Sequence, residues 1–277
     1  MPELPEVETI ARWLREGSPE GPALLGRTFQ AVEVLWPRTL AAPDPATFIA
    51  RLPGRRVTAI GRRGKFLRIW LDDGAVLLLH LRMSGDLRWQ PPPAAAPHPH
   101  DRLVFHFADG WRLGFNDPRK FGRVWLVNDE QTVLGDLGPE PLDPAFSAED
   151  FYARLRRSRT RLKALLLDQR FLAGLGNIYA DEALFQAGLH PLRPAHTLTP
   201  PEAERLFHAI RQVLQAGIAH HGASIDWVYR GGDFQNHFAV YRRAGQPCRR
   251  CGTPIQRLVI GQRGSHFCPH CQPPPEG

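Results

Sequence analysis

Apolar residues near the start of the chain, Leu4, Val7, Ile10, Ala11 and Leu14, recur every three or four positions with charged residues between them. That spacing predicts an amphipathic helix over residues 3–15, and proline at its first positions suits a helix start. The period then shortens. Short apolar or alternating runs at 28–36, 56–62, 66–71, 76–81, 103–107, 111–115 and 123–127, broken by Gly and Asp turns, predict a β-sandwich or barrel. Residues 91–99, with three prolines and then three alanines, predict a mobile loop. Glycines and prolines around 135–144 mark a boundary, after which helical periodicity takes over. Ser147-Ala148-Glu149-Asp150 reads as a capping box, and a further helix is expected over 161–168. The run Ala173-Gly174-Leu175-Gly176-Asn177-Ile178-Tyr179-Ala180 is a glycine-rich turn feeding a helix that ends near Gly188. Thr199-Pro200-Pro201-Glu202 launches a last long helix through about Ala219. The pattern is α+β and multidomain, divided as 1–135, 136–235 and 236–277.

Charge and cysteine usage narrow the function classes. Among 277 residues, 35 basic against 28 acidic side chains leave a formal charge of +7, which favours a polyanionic partner such as nucleic acid. No apolar run reaches the roughly 18 residues of a membrane span, and no secretory pattern is present, so a cytoplasmic, membrane-free protein is expected. The four cysteines cluster at the C-terminus, unlike a secreted disulfide framework.

The chemistry begins at Met1-Pro2-Glu3-Leu4-Pro5-Glu6. Removal of Met1, which a small second residue permits, leaves the secondary amine of Pro2. An α-amino group titrates at about 7.7–8, so a useful fraction is an unprotonated nucleophile near neutrality. With a sugar aldehyde a secondary amine gives a permanently charged iminium. Glu3 and Glu6 flank it, although both residue types are also ordinary in a first helical turn.

Cys248-x2-Cys251 and Cys268-x2-Cys271, sixteen residues apart, can place four thiolates around one Zn²⁺, with an iron–sulfur centre or disulfides as alternatives. A closed four-sulfur site is structural, because no position is left for water or substrate. The turn Gln262-Arg263-Gly264-Ser265 would present Arg263 outward. Backbone N–H groups at the Gly174–Asn177 turn suit a phosphate better than a dinucleotide, since no strand precedes it and a third glycine is missing. A basic run, Arg154, Arg156, Arg157, Arg159, Arg161 and Lys163, adjoins it. Lys65 follows a glycine turn at a strand start. Two further turns offer Met83, Arg119 and Phe121 as wedges for the gap left when a base leaves the stack.

Taken in order, Pro2 to Thr9, Lys65, His80 to Gly85, the Asp117 to Gly122 turn, Gly174 to Ala180 and the four cysteines make the whole chain resemble the bacterial formamidopyrimidine-DNA glycosylases. The resemblance implies an N-terminal β-sandwich with a leading helix, a helix–two-turns–helix domain and a C-terminal zinc-finger β-hairpin, with DNA held between them. It implies base-excision repair of 8-oxoguanine and formamidopyrimidines by a glycosylase and abasic-site lyase working through β,δ-elimination. Its partner would be double-stranded DNA carrying an oxidised purine or abasic site, and the enzyme would act as a monomer.

By the same resemblance Pro2 is the Schiff-base nucleophile, Glu3 the acid that protonates the sugar ring, and Glu6 a positioning group. Lys65 assists β-elimination and Arg263 δ-elimination. Met83, Arg119 and Phe121 fill the void, Asn177 and Arg263 clamp phosphates, and His100, Arg159 and Lys163 contact DNA. Two positions depart from the family pattern: Arg82 and His221 stand where glycine is usual. The base-capping segment 224–234 also diverges from the commonest version, which bears on lesion preference. Two rival readings are an endonuclease VIII-like enzyme for oxidised pyrimidines and a non-catalytic zinc protein that binds damaged DNA.

Overall fold

The computed structural model describes residues 1–93, 96–225 and 231–275. The chain forms two compact units, one of residues 1–135 with 224–232, the other of 136–223 with 233–277.

The first unit opens with helix α1, Leu4–Glu16. Among the described residues nine strands follow: β1 Phe29–Val34, β2 Leu40–Ala42, β3 Val57–Arg63, β4 Phe66–Leu71, β5 Val76–His80, β6 Asp86–Gln90, β7 Asp101–Phe107, β8 Arg112–Asn116 and β9 Arg123–Val127. Short helices α2, Pro45–Arg51, and α3, Gln131–Leu134, complete it. One sheet runs β1-β7-β8-β6 and the other β2-β9-β5-β4-β3, antiparallel except for the β2–β9 pair. Alternation in β4 sends Leu67, Ile69 and Leu71 inward, whereas all five residues of β5 are buried. Both sheets feed a single core: Leu67, Leu77 and Leu79 from one, Phe29, Phe105 and Phe115 from the other. Val7, Ile10 and Leu14 of α1 enter the same core, each contributing about 1.5–3 kcal/mol by burial. The helix therefore packs on β3 and β4, and the first residues of the chain are fixed with it.

Strands β2 and β6 and helices α2 and α3 go beyond the sequence expectation. Strand β6 has only two apolar residues, Leu87 and Trp89, set between Asp86, Arg88 and Gln90; it pairs with β8 and lays both against the core. Helix α2 sits within an all-β stretch, started by Asp44, whose carboxylate accepts from the Thr47 N–H at 3.1 Å. Strand β2 is three residues long, too short to carry a period.

The second unit holds α4 Ala148–Arg156, α5 Leu162–Leu167, α6 Asn177–Ala187 and α7 Pro200–Ala219, then strands β10 Gln256–Ile260 and β11 Arg263–Phe267. The Ser147 hydroxyl accepts from the Asp150 N–H and the Asp150 carboxylate from the Ser147 N–H, as the capping box requires. Helices α6 and α7 pack on each other, and at Gly217 a Cβ would stand 2.4 Å from the Tyr179 ring, so only glycine permits that approach. The hairpin β10–β11 turns through Gly261 and Gln262, both at positive φ, +54° and +63°. Those angles make a tight two-residue turn whose twist matches its strands.

Candidate active site and nucleic-acid interface

In the first unit the chain start is buried. Pro2 is covered, and Glu3 and Glu6 are each 2 % exposed while Met1 lies outside at 39 %. The Glu6 carboxylate accepts from the Glu3 N–H at 2.7 Å, which orients it back over the terminus. Glu8, two residues further on, accepts from Arg12 at 3.0 Å and from Arg62 of β3 at 3.2 Å. Arg62 also donates to the Gly64 carbonyl at 3.0 Å, so one guanidinium ties α1 to the hairpin tip that carries Lys65. Lys65 is 5 % exposed.

Lys65 also acts on His80. Burial, then the positive charges of Arg82 and Lys65, push the His80 pKa down to about 3. The neutral ring accepts the Arg82 N–H at Nδ1, 3.0 Å, and sets its edge against Phe66, with centroids 4.7 Å apart. Above pH 6.5 folded and unfolded chains both carry neutral His80. Below it the unfolded chain takes up a proton that the folded chain refuses, until about pH 3. His80 is therefore expected to remove about 1.4 kcal/mol of stability per pH unit of acidification in that window. Urea unfolding at pH 7 and pH 5 should show a smaller acid loss in His80→Gln than in the wild type, and equal losses would refute the assignment.

Asp117, fully buried, is the hub of the neighbouring loops. One carboxylate oxygen accepts from the Ser84 hydroxyl and the Arg119 N–H, and the other from the Gly122 N–H at 2.6 Å. Its backbone N–H donates to the His100 carbonyl at 3.0 Å, and its carbonyl accepts from Arg102 Nε at 2.7 Å. The loops bearing Met83, His100, Arg119 and Phe121 are thereby brought together. Met83 is half-buried, whereas His100, Arg119 and Phe121 are exposed. The Arg119 guanidinium lies 5.0 Å from the Phe121 ring centroid, and that ring is 48 % exposed. Arg82 and His221 are the two positions where the resemblance implies glycine. Both sit at φ +54°, in the left-handed region that glycine enters freely. Within the capping segment, residues 226–230 lie outside the described residues.

In the second unit the glycine-rich turn is held by Gln169, whose amide accepts from the Gly174 N–H and donates to the Leu175 carbonyl, both at 2.9 Å. The turn delivers Asn177 to the first position of α6, where helix N–H groups favour an anion. Its Nδ2 donates to the Gly264 carbonyl at 2.9 Å, which places Asn177 beside exposed Arg263. Arg159 is exposed in a loop pinned by the bond from the His196 N–H to the Ser158 carbonyl. Lys163 is fully buried: its ammonium donates to Asp181 Oδ1 at 2.6 Å and to the Asn177 carbonyl at 2.8 Å. Asp181 Oδ2 accepts from the His266 N–H at 2.8 Å, so one carboxylate joins α5, the start of α6 and β11. Next to it, Glu182 accepts three backbone N–H groups, from Ala239, Val240 and Tyr241. The sequence reading missed Asp181 and Glu182. Helix α6 has apolar residues on every side, so adjacent acids within it must be partnered inside the protein.

Cys248, Cys251, Cys268 and Cys271 converge, with Sγ–Sγ separations of 3.5 Å for the 251–268 and 251–271 pairs and 3.9 Å for 248–271. Zn–S bonds of about 2.3 Å in a tetrahedron require edges of roughly 3.8 Å. The thiols are not joined as disulfides, and N–H groups of Arg250 and Cys271 point at Sγ of Cys248 and Cys268, both at 3.4 Å. The set fits one structural zinc. Among the described residues no helix is long and apolar enough to cross a membrane.

Known proteins with this arrangement are plain to compare. Residues 1–124 match the model of the formamidopyrimidine-DNA glycosylase N-terminal domain, residues 137–228 that of its H2TH domain, and residues 245–274 that of a zinc finger found in FPG and IleRS. The formamidopyrimidine-DNA glycosylase of Chloroflexus aggregans is 50 % identical, covering 98 % of each chain. That of Geobacillus kaustophilus is 43 % identical over 98 % of this chain and 100 % of the relative. The Lactococcus lactis enzyme, solved in complex with N7-benzyl-Fapy-dG DNA, superposes with a TM-score of 0.91 at 36 % identity, covering 99 % of this chain and 100 % of the other. Its complex with abasic-site DNA gives 0.90 at 35 % identity, covering 98 % and 100 %. With each of its segments matched by one of these models and half its positions shared with a full-length relative, the chain belongs to the formamidopyrimidine-DNA glycosylase family.

Proposed function

We propose that this chain is a bifunctional glycosylase and abasic-site lyase that removes 8-oxoguanine and formamidopyrimidines from duplex DNA. One observation carries the reading: Glu3 and Glu6, two carboxylates three positions apart beside the chain start, are both 2 % exposed. Burying carboxylates is costly, so a chain end that buries two of them is organised for chemistry rather than solubility.

With Met1 removed, the Pro2 amine attacks C1′ of the damaged nucleoside while Glu3 delivers a proton to the opening sugar ring and the base departs. The iminium acidifies the C2′ proton. Loss of that proton breaks the 3′ phosphate bond, and a second elimination breaks the 5′ one. Lys65 and Arg263 serve these eliminations, and Glu6 holds the terminus. Asn177 and Arg263 hold phosphates, with Arg159 and His100 at the backbone. Met83, Arg119 and Phe121 replace the stacking of the flipped nucleotide, a cost of a few kcal/mol. Lys163, being buried on Asp181, supports Asn177 from within. The zinc, held by the four cysteines, fixes the hairpin that presents Arg263 and takes no part in bond breaking. We place the enzyme in the cytoplasm as a monomer on DNA.

Borohydride reduction during reaction with a duplex carrying 8-oxoguanine opposite cytosine, followed by mass mapping, tests this. The expected result is a covalent adduct on Pro2. Intact binding with no adduct, in protein shown to lack Met1, would turn the reading towards oxidised pyrimidines or non-catalytic recognition.

A further inference from the structure

We propose a second metal site, for a borderline divalent transition ion such as Zn²⁺, formed by His220, Asp233 and His237. Their ligand atoms all lie within 4.8 Å of one another. His220 caps the C-terminus of α7, and Asp233 and His237 bracket a single 3-10 turn, Phe234–His237. At the two ends of that turn the carboxylate and the second imidazole lie within the same 4.8 Å.

The frame beneath is rigid. Phe234 is 5 % exposed and stacks on Tyr179 with centroids 5.3 Å apart. The Asp233 N–H donates to the His220 carbonyl and the Phe234 N–H to the Gly222 carbonyl, each at 3.0 Å. On this base His220 Nδ1 meets Asp233 Oδ1 at 2.9 Å, and the His220 and His237 ring centroids lie 3.9 Å apart with the planes tilted by 38°.

Two imidazoles and a carboxylate are a donor set for zinc, nickel or copper rather than calcium or magnesium. Bonds of about 2.0–2.2 Å put tetrahedral ligands roughly 3.3–3.6 Å apart, within reach of small rotations of these solvent-facing side chains. Three protein ligands leave a position for water, unlike the closed four-cysteine site.

The position gives the ion a consequence. His220 and Asp233 stand on either side of residues 221–232, where the chain leaves the second unit and returns. An ion bound to both fastens the neck of that segment.

The test is calorimetric titration of Zn²⁺ into the full chain already holding one zinc, without DNA, so its outcome is independent of the repair reading. The wild type is expected to take up a second equivalent. Asp233→Asn and His237→Gln, each still carrying its one structural zinc, should bind it roughly tenfold or more weakly. Absence of a second equivalent in the wild type, or unchanged affinity in both variants, would overturn the site.

Discussion

Glu3→Gln, with Met1 removed, is expected to excise 8-oxoguanine about 10²- to 10⁴-fold more slowly, the range contributed by a positioned general acid. The carboxamide keeps the volume of a side chain that is 2 % exposed, so the fold has no cavity to absorb. What it loses is the proton. Binding to a duplex with an abasic-site analogue should stay within a few fold, because Asn177 and Arg263 lie in the other unit. Single-turnover excision kinetics beside a binding isotherm separate the two quantities. A variant that excises at the wild-type rate would remove Glu3 from the mechanism and leave Glu6 as the nearest candidate.

Asp181→Ala is expected to destabilise the second unit by about 3–5 kcal/mol, the penalty for stranding one partner of a buried ion pair. Lys163 and Asp181 are 0 % and 1 % exposed, so neither charge can turn to water. The same carboxylate holds the His266 N–H, so its loss also frees β11 at the base of the hairpin that carries Arg263. Lys163→Met with Asp181→Leu should recover much of the stability, since apolar replacement of a whole buried pair is often neutral or better. It should not recover duplex affinity, because the Lys163 bond to the Asn177 carbonyl goes with it. Denaturant unfolding of the three proteins, with an abasic-duplex binding assay, decides the matter. An Asp181→Ala protein within about 1 kcal/mol of wild type would show that the pair is dispensable.

How much of this was legible in the sequence follows from the physics of each element. Helix α1 and the capped helices α4 and α7 announce themselves because period and cap residues are local signals, and the structure places them within a residue or so of the expectation. The four cysteines are legible because the spacing of metal ligands is nearly local too. Strand β6 was not, since only Leu87 and Trp89 carry its apolar face, between Asp86, Arg88 and Gln90, and their packing on the core shows only in the fold. Helix α2 was not legible either, because seven residues, Pro45–Arg51, are too few to carry a helical period among the strands around them. At the site, residue types named Pro2, Glu3 and Lys65, but Asp117 and Asp181 act through groups far along the chain. Lys163 shows the limit most clearly. A lysine in a basic run reads as a surface charge, and only its burial against Asp181 reveals a supporting role.

The Asp117 hub also bears on the order in which the molecule becomes competent. Its bond to Ser84 spans 33 positions, and the strands that bring the two loops together, β5 and β9, are themselves distant in sequence. Such closures come late, because the entropy of a long loop must be overcome before any contact repays it. On the roles proposed for Met83, Arg119 and Phe121, the loops that bear them acquire their register only when the sandwich is complete, and a half-assembled chain would present no aligned wedge to intact DNA.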